Sequence, residues 1–98
     1  MLSLLVSSLA PLVVAPHLMK GLSYDPTKDF TYLSVAAQTP NVLEVNSTLA
    51  AKVNTVQDVI AMLKAKPGTV SFATSAAGSS DHLTAELFWQ KTGTKALH

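Results

Sequence analysis

The spacing of apolar positions predicts two helices in the second half of the chain. A helical period is clearest over residues 55–66. Thr55 and Asp58 open it with the [ST]-x-x-[DE] pattern of a capping box, and Pro67 and Gly68 predict where it ends. The apolar positions that recur on one face of this helix are Val56, Val59, Ile60 and Leu63.

A second helical period covers residues 80–91. Either Ser79 or Ser80 is suited to cap its start, and Gly93 predicts its end. The positions predicted to share its apolar face are Leu83, Leu87 and Phe88. A single helical turn is also predicted over residues 16–21.

Short apolar runs rich in β-branched and aromatic residues predict strands. These runs are residues 2–6, 30–37, 41–46 and 70–74. Residues 95–98 resemble the start of a further strand. Because strands and helices alternate in the second half of the chain, the order predicts an α/β fold with parallel strands.

The apolar segment 1–15 has two other interpretations. As a signal peptide it lacks a preceding basic residue and an A-x-A cleavage site. As a membrane span it is too short, and Pro11 interrupts it. We therefore favour a buried strand over residues 2–6, followed by a turn.

Six small residues join strand 70–74 to helix 80–91. They are Ser75, Ala76, Ala77, Gly78, Ser79 and Ser80. Such a turn brings unpaired backbone N–H groups to the positive end of a helix dipole, where a small anion or carboxylate can bind. A capped turn without a ligand is the alternative, since neither a phosphate-loop pattern nor a nucleophile elbow is present.

Composition excludes several classes of protein. Apolar residues make up 48% of the chain, which argues against disorder, and charged residues only 13%, about half the ordinary globular share. All basic residues are lysines and the net charge is +1, so we expect no nucleic-acid partner. Without cysteine, and with His17, His82 and His98 far apart in sequence, we expect no metal and no other cofactor.

Four motifs occur in an order that resembles the Bug-type receptors, the periplasmic solute-binding proteins of tripartite tricarboxylate transporters. The motifs are YDPTKDF at 24–30, PNVL at 40–43, KAKPG at 64–68 and GSSDHL at 78–83. The resemblance runs over residues 4–98. It implies a type II periplasmic-binding-protein fold with two α/β lobes, a small organic carboxylate as ligand, membrane transporter subunits as partners, and no enzymatic activity.

The same resemblance implies how the chain divides. Residues 1–36 match the remainder of a first lobe with the crossing segment, and residues 37–98 match the first half of a second lobe. Family members are about three times as long, so we expect an internal fragment. An incomplete sheet exposes apolar strand edges, and we therefore expect this chain to self-associate.

The resemblance also assigns candidate ligand-binding residues. The turn 75–80 matches the ligand-facing loop of the second lobe, and Ser7 and Ser8 match a first-lobe loop that borders the cleft. His82 matches a recurrent histidine at the start of the following helix, where packing and capping are an equally good interpretation. Two departures stand out: Asp81 replaces a small polar residue, and apolar residues replace polar ones in the first-lobe loop. The latter are Leu9, Pro11 and Leu12.

Two other functions stay open at this point. One is a small hydrolase that uses Ser79 or Ser80 with His82, although positions this close at a helix start do not readily bring a hydroxyl to an imidazole. The other is a truncated α/β module with no activity of its own.

Overall fold

The computed structural model describes residues 2–98, and Met1 lies outside the described part. The regular elements are a π-helical segment Ala10–Val14, α1 (Ala15–Leu18), α2 (Ser47–Ala50), α3 (Val56–Ala65) and α4 (Ser80–Thr92). The predicted turn 16–21 therefore overlaps α1 only in part. Among residues 2–98 no helix is long and apolar enough to cross a membrane.

Helix α3 confirms the predicted helix over residues 55–66 and its capping box. The Asp58 N–H donates to Thr55 Oγ1 at 3.1 Å, and the Thr55 N–H donates to Asp58 Oδ2 at 3.0 Å. The Asn54 N–H donates to the same carboxylate at 3.0 Å. These bonds, that from Asn54 first, hold the pKa of Asp58 below its ordinary value.

Replacing Thr55 by alanine is expected to lower the free energy of unfolding by about 1 kcal/mol, because the Asp58 N–H loses its acceptor. Urea unfolding followed by circular dichroism measures this. Thr55→Ser keeps the hydroxyl and should stay within a few tenths of a kcal/mol of the natural chain. A larger effect of Thr55→Ala on ligand affinity than on stability would contradict a purely scaffolding role for this helix.

Helix α4 begins and ends as the sequence predicts, but it buries a different face. Ser79 is its N-cap and Gly93, at φ +64°, ends it. Leu83 and Leu87, which the sequence predicts on one apolar face with Phe88, are 41% and 52% exposed, so that face is not the one that the core buries. The residues of α4 that pack into the core are Ala85, Phe88 and Trp89.

The hydrophobic core is small and lies between α3 and α4. Its buried side chains are Val53, Val59, Leu63 and Trp89. The Trp89 ring meets Phe72 and Phe88 edge-on, with centroid distances of 5.4 and 4.9 Å. The radius of gyration is 17.4 Å, whereas a compact chain of this length has about 13 Å. The core therefore organises only part of an elongated molecule.

The predicted strands do not form within residues 2–98. Segments 2–6, 30–37 and 41–46 have no regular structure, and segment 70–74 contributes only one isolated bridge residue. The physical reason is that a strand needs a neighbour to pair its backbone groups. Leu2 and Val6 are 89% and 84% exposed, so the prediction of a buried strand there is wrong.

The isolated bridge joins two segments that run parallel, which is the strand direction that the predicted α/β fold requires. Ser71 and Leu97 pair in parallel, and α4 connects the two segments. The Phe72 N–H donates to the Leu97 carbonyl at 2.9 Å, and the Leu97 N–H donates to the Val70 carbonyl at 2.8 Å. This is the start of a parallel pair with a helical crossover.

The motif at 24–30 folds as a turn closed on itself. Asp25 Oδ1 accepts from the Thr27 N–H at 2.9 Å, and Asp29 Oδ2 accepts from the Asp25 N–H at 2.6 Å. The Tyr24 hydroxyl donates to the Pro11 carbonyl at 2.6 Å. The motif therefore anchors the N-terminal segment and has a structural role.

We expect the isolated chain to self-associate at micromolar concentration. In the segment 30–37, Leu33 and Val35 are 80% and 72% exposed, which leaves apolar surface that a soluble monomer normally covers. Sedimentation analysis and thermal melting measure this. A double substitution of Leu33 and Val35 by lysine should reduce the association. A chain that stays monomeric in sedimentation would contradict this prediction.

Candidate functional site

The turn 75–80 leads from the bridged segment into α4 and is tightly hydrogen-bonded. The Ser79 N–H donates to the Ala76 carbonyl at 3.1 Å, and the Ser79 hydroxyl donates to the same oxygen at 2.6 Å. The same Ser79 hydroxyl oxygen accepts from the His82 N–H at 3.3 Å, as an N-cap does. The hydrogen bonds of a capped turn are therefore all formed, and they do not depend on a bound ligand.

Asp81 occupies one end of this turn. Its Oδ2 accepts from the Ser75 N–H at 2.6 Å, and its Oδ1 accepts from the Ser75 hydroxyl at 2.9 Å. The Ser79 hydroxyl, followed by the Ser75 N–H, holds the pKa of Asp81 well below its ordinary value. The carboxylate therefore stays ionised at neutral and mildly acidic pH, at the positive end of the α4 dipole.

His82 contacts the other end of the turn. Its Nδ1 accepts from the Gly78 N–H at 2.9 Å, and its Nε2 lies 3.7 Å from Glu86 Oε1. Its ring stacks on that of His98, with centroids 4.2 Å apart and planes 13° apart. Thr74 Oγ1 lies 2.7 Å from His98 Nε2. The sequence predicted His82 near the turn but gave no sign of His98.

Gly78 is buried beneath the N-terminal helical segment. Its φ is +80°, a left-handed conformation that glycine adopts without strain. An added Cβ would lie 3.0 Å from Leu18 Cδ1 and 3.5 Å from Val14 Cγ1. The helical segment that ends at Leu18 therefore packs on the turn, a contact that sequence reasoning missed.

Three N–H groups of the turn take no part in the hydrogen bonds described above. Those of Ala76, Ala77 and Ser80 donate to no protein atom within residues 2–98. The side chains of these residues are small and exposed. Three such donors at a helix start suit one carboxylate group.

Asn41, from the PNVL motif, lies beside the turn and was not predicted there. Its Nδ2 donates to Thr84 Oγ1 at 2.8 Å, and its Oδ1 lies 3.5 Å from the Ser80 hydroxyl. A groove of about 540 Å³ continues from this point toward the core. Its polar lining near the turn comes from Asn41, Thr74, Asp81 and Thr84, and Phe88 and Trp89 line its apolar end.

The structure does not bring all predicted ligand residues together. Ser7 and Ser8 are exposed, and within the described part of the chain they form no hydrogen bond with the turn. The polar side chains of the turn already have partners in the protein. The Ser79 hydroxyl donates to the Ala76 carbonyl, the Ser80 hydroxyl contacts Asn41, and the His82 ring accepts from the Gly78 N–H. Residues 2–98 contain no cluster of three or more side chains placed to hold a metal ion.

Comparison with known proteins gives one family. The family described as "Tripartite tricarboxylate transporter family receptor" matches residues 3–98. Protein BugT of Bordetella pertussis is 42% identical over 90 residues, which cover 92% of this chain and 27% of that protein. A UPF0065 protein of Bordetella bronchiseptica is 33% identical over 96 residues, which cover 98% of this chain and 28% of that protein. No solved structure matches. The chain thus spans little more than a quarter of the length of these curated relatives.

Proposed function

The chain belongs to the tripartite tricarboxylate transporter receptor family, whose members are periplasmic solute-binding receptors, and on that premise we propose that it forms part of a receptor for a small organic carboxylate. The receptor would capture this ligand in the periplasm and deliver it to the membrane subunits of a transporter.

The observation that carries the proposal is the set of N–H groups at the start of α4. Ala76, Ala77 and Ser80 present three donors that no protein atom within residues 2–98 uses. A carboxylate has two acceptor oxygens, and small side chains let it approach the backbone. Backbone recognition of this kind needs no arginine, which agrees with a chain whose basic residues are all lysines.

We propose that the turn belongs to one α/β lobe of a two-lobed receptor. The parallel pairing of Ser71 with Leu97 around α4 supports a parallel sheet in the second lobe. In this proposal residues 1–36 belong to the first lobe and the crossing segment, and residues 37–98 to the second lobe. Ser7 and Ser8 would border the ligand from the first lobe.

A binding role fits the hydroxyls of the turn better than hydrolysis does. A serine nucleophile needs its hydroxyl within hydrogen-bond reach of a base. The Ser79 hydroxyl instead donates to a backbone carbonyl, and His82 Nδ1 is occupied by the Gly78 N–H. We therefore propose that this turn binds a ligand and has no enzymatic activity.

The proposal is tested in a chimera in which residues 3–98 replace the matching segment of the BugT protein. Calorimetric titration with a panel of dicarboxylates should show binding to the chimera. The isolated chain should bind weakly or undetectably, because a receptor cleft supplies contacts from both lobes. Losing about 4 kcal/mol of contacts weakens binding roughly a thousandfold. A chimera that folds but binds no carboxylate would favour a module without independent activity.

Asp81→Ser is expected to strengthen carboxylate binding by the chimera. The substitution removes a charge that stays ionised, and it frees the Ser75 N–H. Asp81→Asn is the matched control, because it removes the charge but keeps an acceptor for Ser75. Calorimetry should rank the affinities as Asp81→Ser, then Asp81→Asn, then the natural residue. Equal affinities would show that the ligand does not approach this end of the turn.

A further inference from the structure

The hydrogen bond between Gly78 and His82 ties the state of one imidazole to one donor of the turn. Because Nδ1 accepts from the Gly78 N–H, the hydrogen-bond pattern assigns the proton of the neutral ring to Nε2. A protonated ring carries hydrogen on both nitrogens and has no acceptor to offer. The bond to Gly78 can therefore exist only while His82 is neutral.

We infer that His82 is a positioning residue that controls the turn by protonation: its neutral ring holds the Gly78 N–H, and protonation of Nδ1 releases that N–H toward an anion. The inference rests on the proposed function only for the identity of that anion. The imidazolium also adds a positive charge beside the three N–H groups already available. Both changes favour anion binding at lower pH.

The surroundings of His82 allow both states of the ring. Nε2 lies 3.7 Å from the Glu86 carboxylate, so the charged ring gains an ion pair as it loses the Gly78 bond. The His98 ring stacks on His82 with the two centroids 4.2 Å apart, so a positive charge on both rings at once is unfavourable. Asp81 precedes His82 on α4 and is held by Ser75. α1, which packs on Gly78, carries His17, and it forms no hydrogen bond or ring contact with His82 among residues 2–98.

Selective labelling with [¹⁵N]glycine tests the coupling on the 98-residue chain with Leu33 and Val35 replaced by lysine, the variant expected to self-associate less. The chain has four glycines, so the spectrum contains four amide signals, and Gly21, Gly68 and Gly93 serve as internal controls. On acidification, the Gly78 amide signal should shift over the same pH range as the His82 ring signal. Its exchange with solvent should accelerate over the same range.

Three variants separate His82 from its neighbours. His82→Asn places Oδ1 where Nδ1 stands, so the Gly78 bond should persist without pH dependence. His82→Leu removes the acceptor, so the Gly78 amide should exchange rapidly at every pH. His98→Gln leaves His82 as the titrating ring of the stack, and the shift should remain. A pH-dependent Gly78 shift that persists in His82→Asn, or that vanishes in His98→Gln, would overturn the inference.

Adding sodium succinate to the chimera of residues 3–98 in BugT, labelled in the same way, completes the test at constant ionic strength, once below and once above the pH range over which the His82 ring signal shifts. A larger succinate-induced shift of Gly78 at the lower pH, lost in His82→Asn, supports release of the N–H toward an anion. An equal succinate effect at both pH values would overturn that release. No succinate effect at either pH would count against the proposed ligand turn, whereas the coupling of Gly78 to His82 would stand on the amide shift alone.

Discussion

Replacing Leu63 by alanine is expected to unfold the part of the chain built on α3 and α4. Leu63 is 1% exposed and is the most deeply buried of the four core side chains. A substitution of this kind costs about 2–5 kcal/mol, whereas whole domains are stable by only about 5–15 kcal/mol. With so small a core we expect the lower end of that stability range, so the substitution removes most of it.

Urea unfolding followed by far-ultraviolet circular dichroism measures this loss. Leu87→Ala is the matched control, because it makes the same chemical change on α4 at a side chain that is 52% exposed. It should change the free energy of unfolding by no more than about 0.5 kcal/mol. If both substitutions had the same small effect, the helices would not be held together by the core described above.

Replacing Gly78 by valine is expected to abolish carboxylate binding by the chimera. A side chain here must adopt a left-handed backbone, at a cost of about 1–2 kcal/mol, and its Cβ would meet Leu18 at 3.0 Å. The Leu18 side chain must move to admit this Cβ. The two further methyl groups of valine crowd the turn, and together with the backbone strain we expect them to displace the N–H groups of Ala77 and Ser80. Calorimetric titration of the chimera measures the loss.

Gly21→Val separates backbone strain from the loss of the turn. Gly21 has a similar φ of +74°, but no atom lies within 4 Å of the Cβ it would carry. This variant should pay the same backbone strain and keep its affinity for carboxylates. Unchanged affinity in Gly78→Val would remove the turn from the binding site and leave it a capped turn.

The helices could be predicted from the sequence because their determinants are local. The Thr55 capping box, the Ser79 cap and the Gly93 end all act within a few residues of the helix they define, and all three are present. The strands could not be predicted in the same way. A run such as 30–37 has the composition of a strand, but strand formation depends on a neighbour that the run itself does not specify.

The same distinction between local and long-range determinants applies to the candidate site. The small residues of the turn and the nearby His82 could be found from sequence because they are consecutive or nearly so. Three contacts could not: Leu18 on Gly78, Asn41 beside Ser80, and His98 stacked on His82. Each joins residues far apart in sequence, and no periodicity or motif encodes such a pairing. The local residues indicate a turn that suits a small anion, the family resemblance implies that it faces the ligand, and its role as a ligand site stays a proposal.

The fluorescence of the single tryptophan, Trp89, can report on the state of the core. Trp89 is 7% exposed and enclosed by Phe72 and Phe88, so its emission should lie at short wavelength and move to the red when water reaches the indole. The turn ends at Ser80, the first residue of α4, which lies about 14 Å from Trp89 along the helix axis. Gly78→Val should therefore leave the emission spectrum unchanged, whereas Leu63→Ala should shift it.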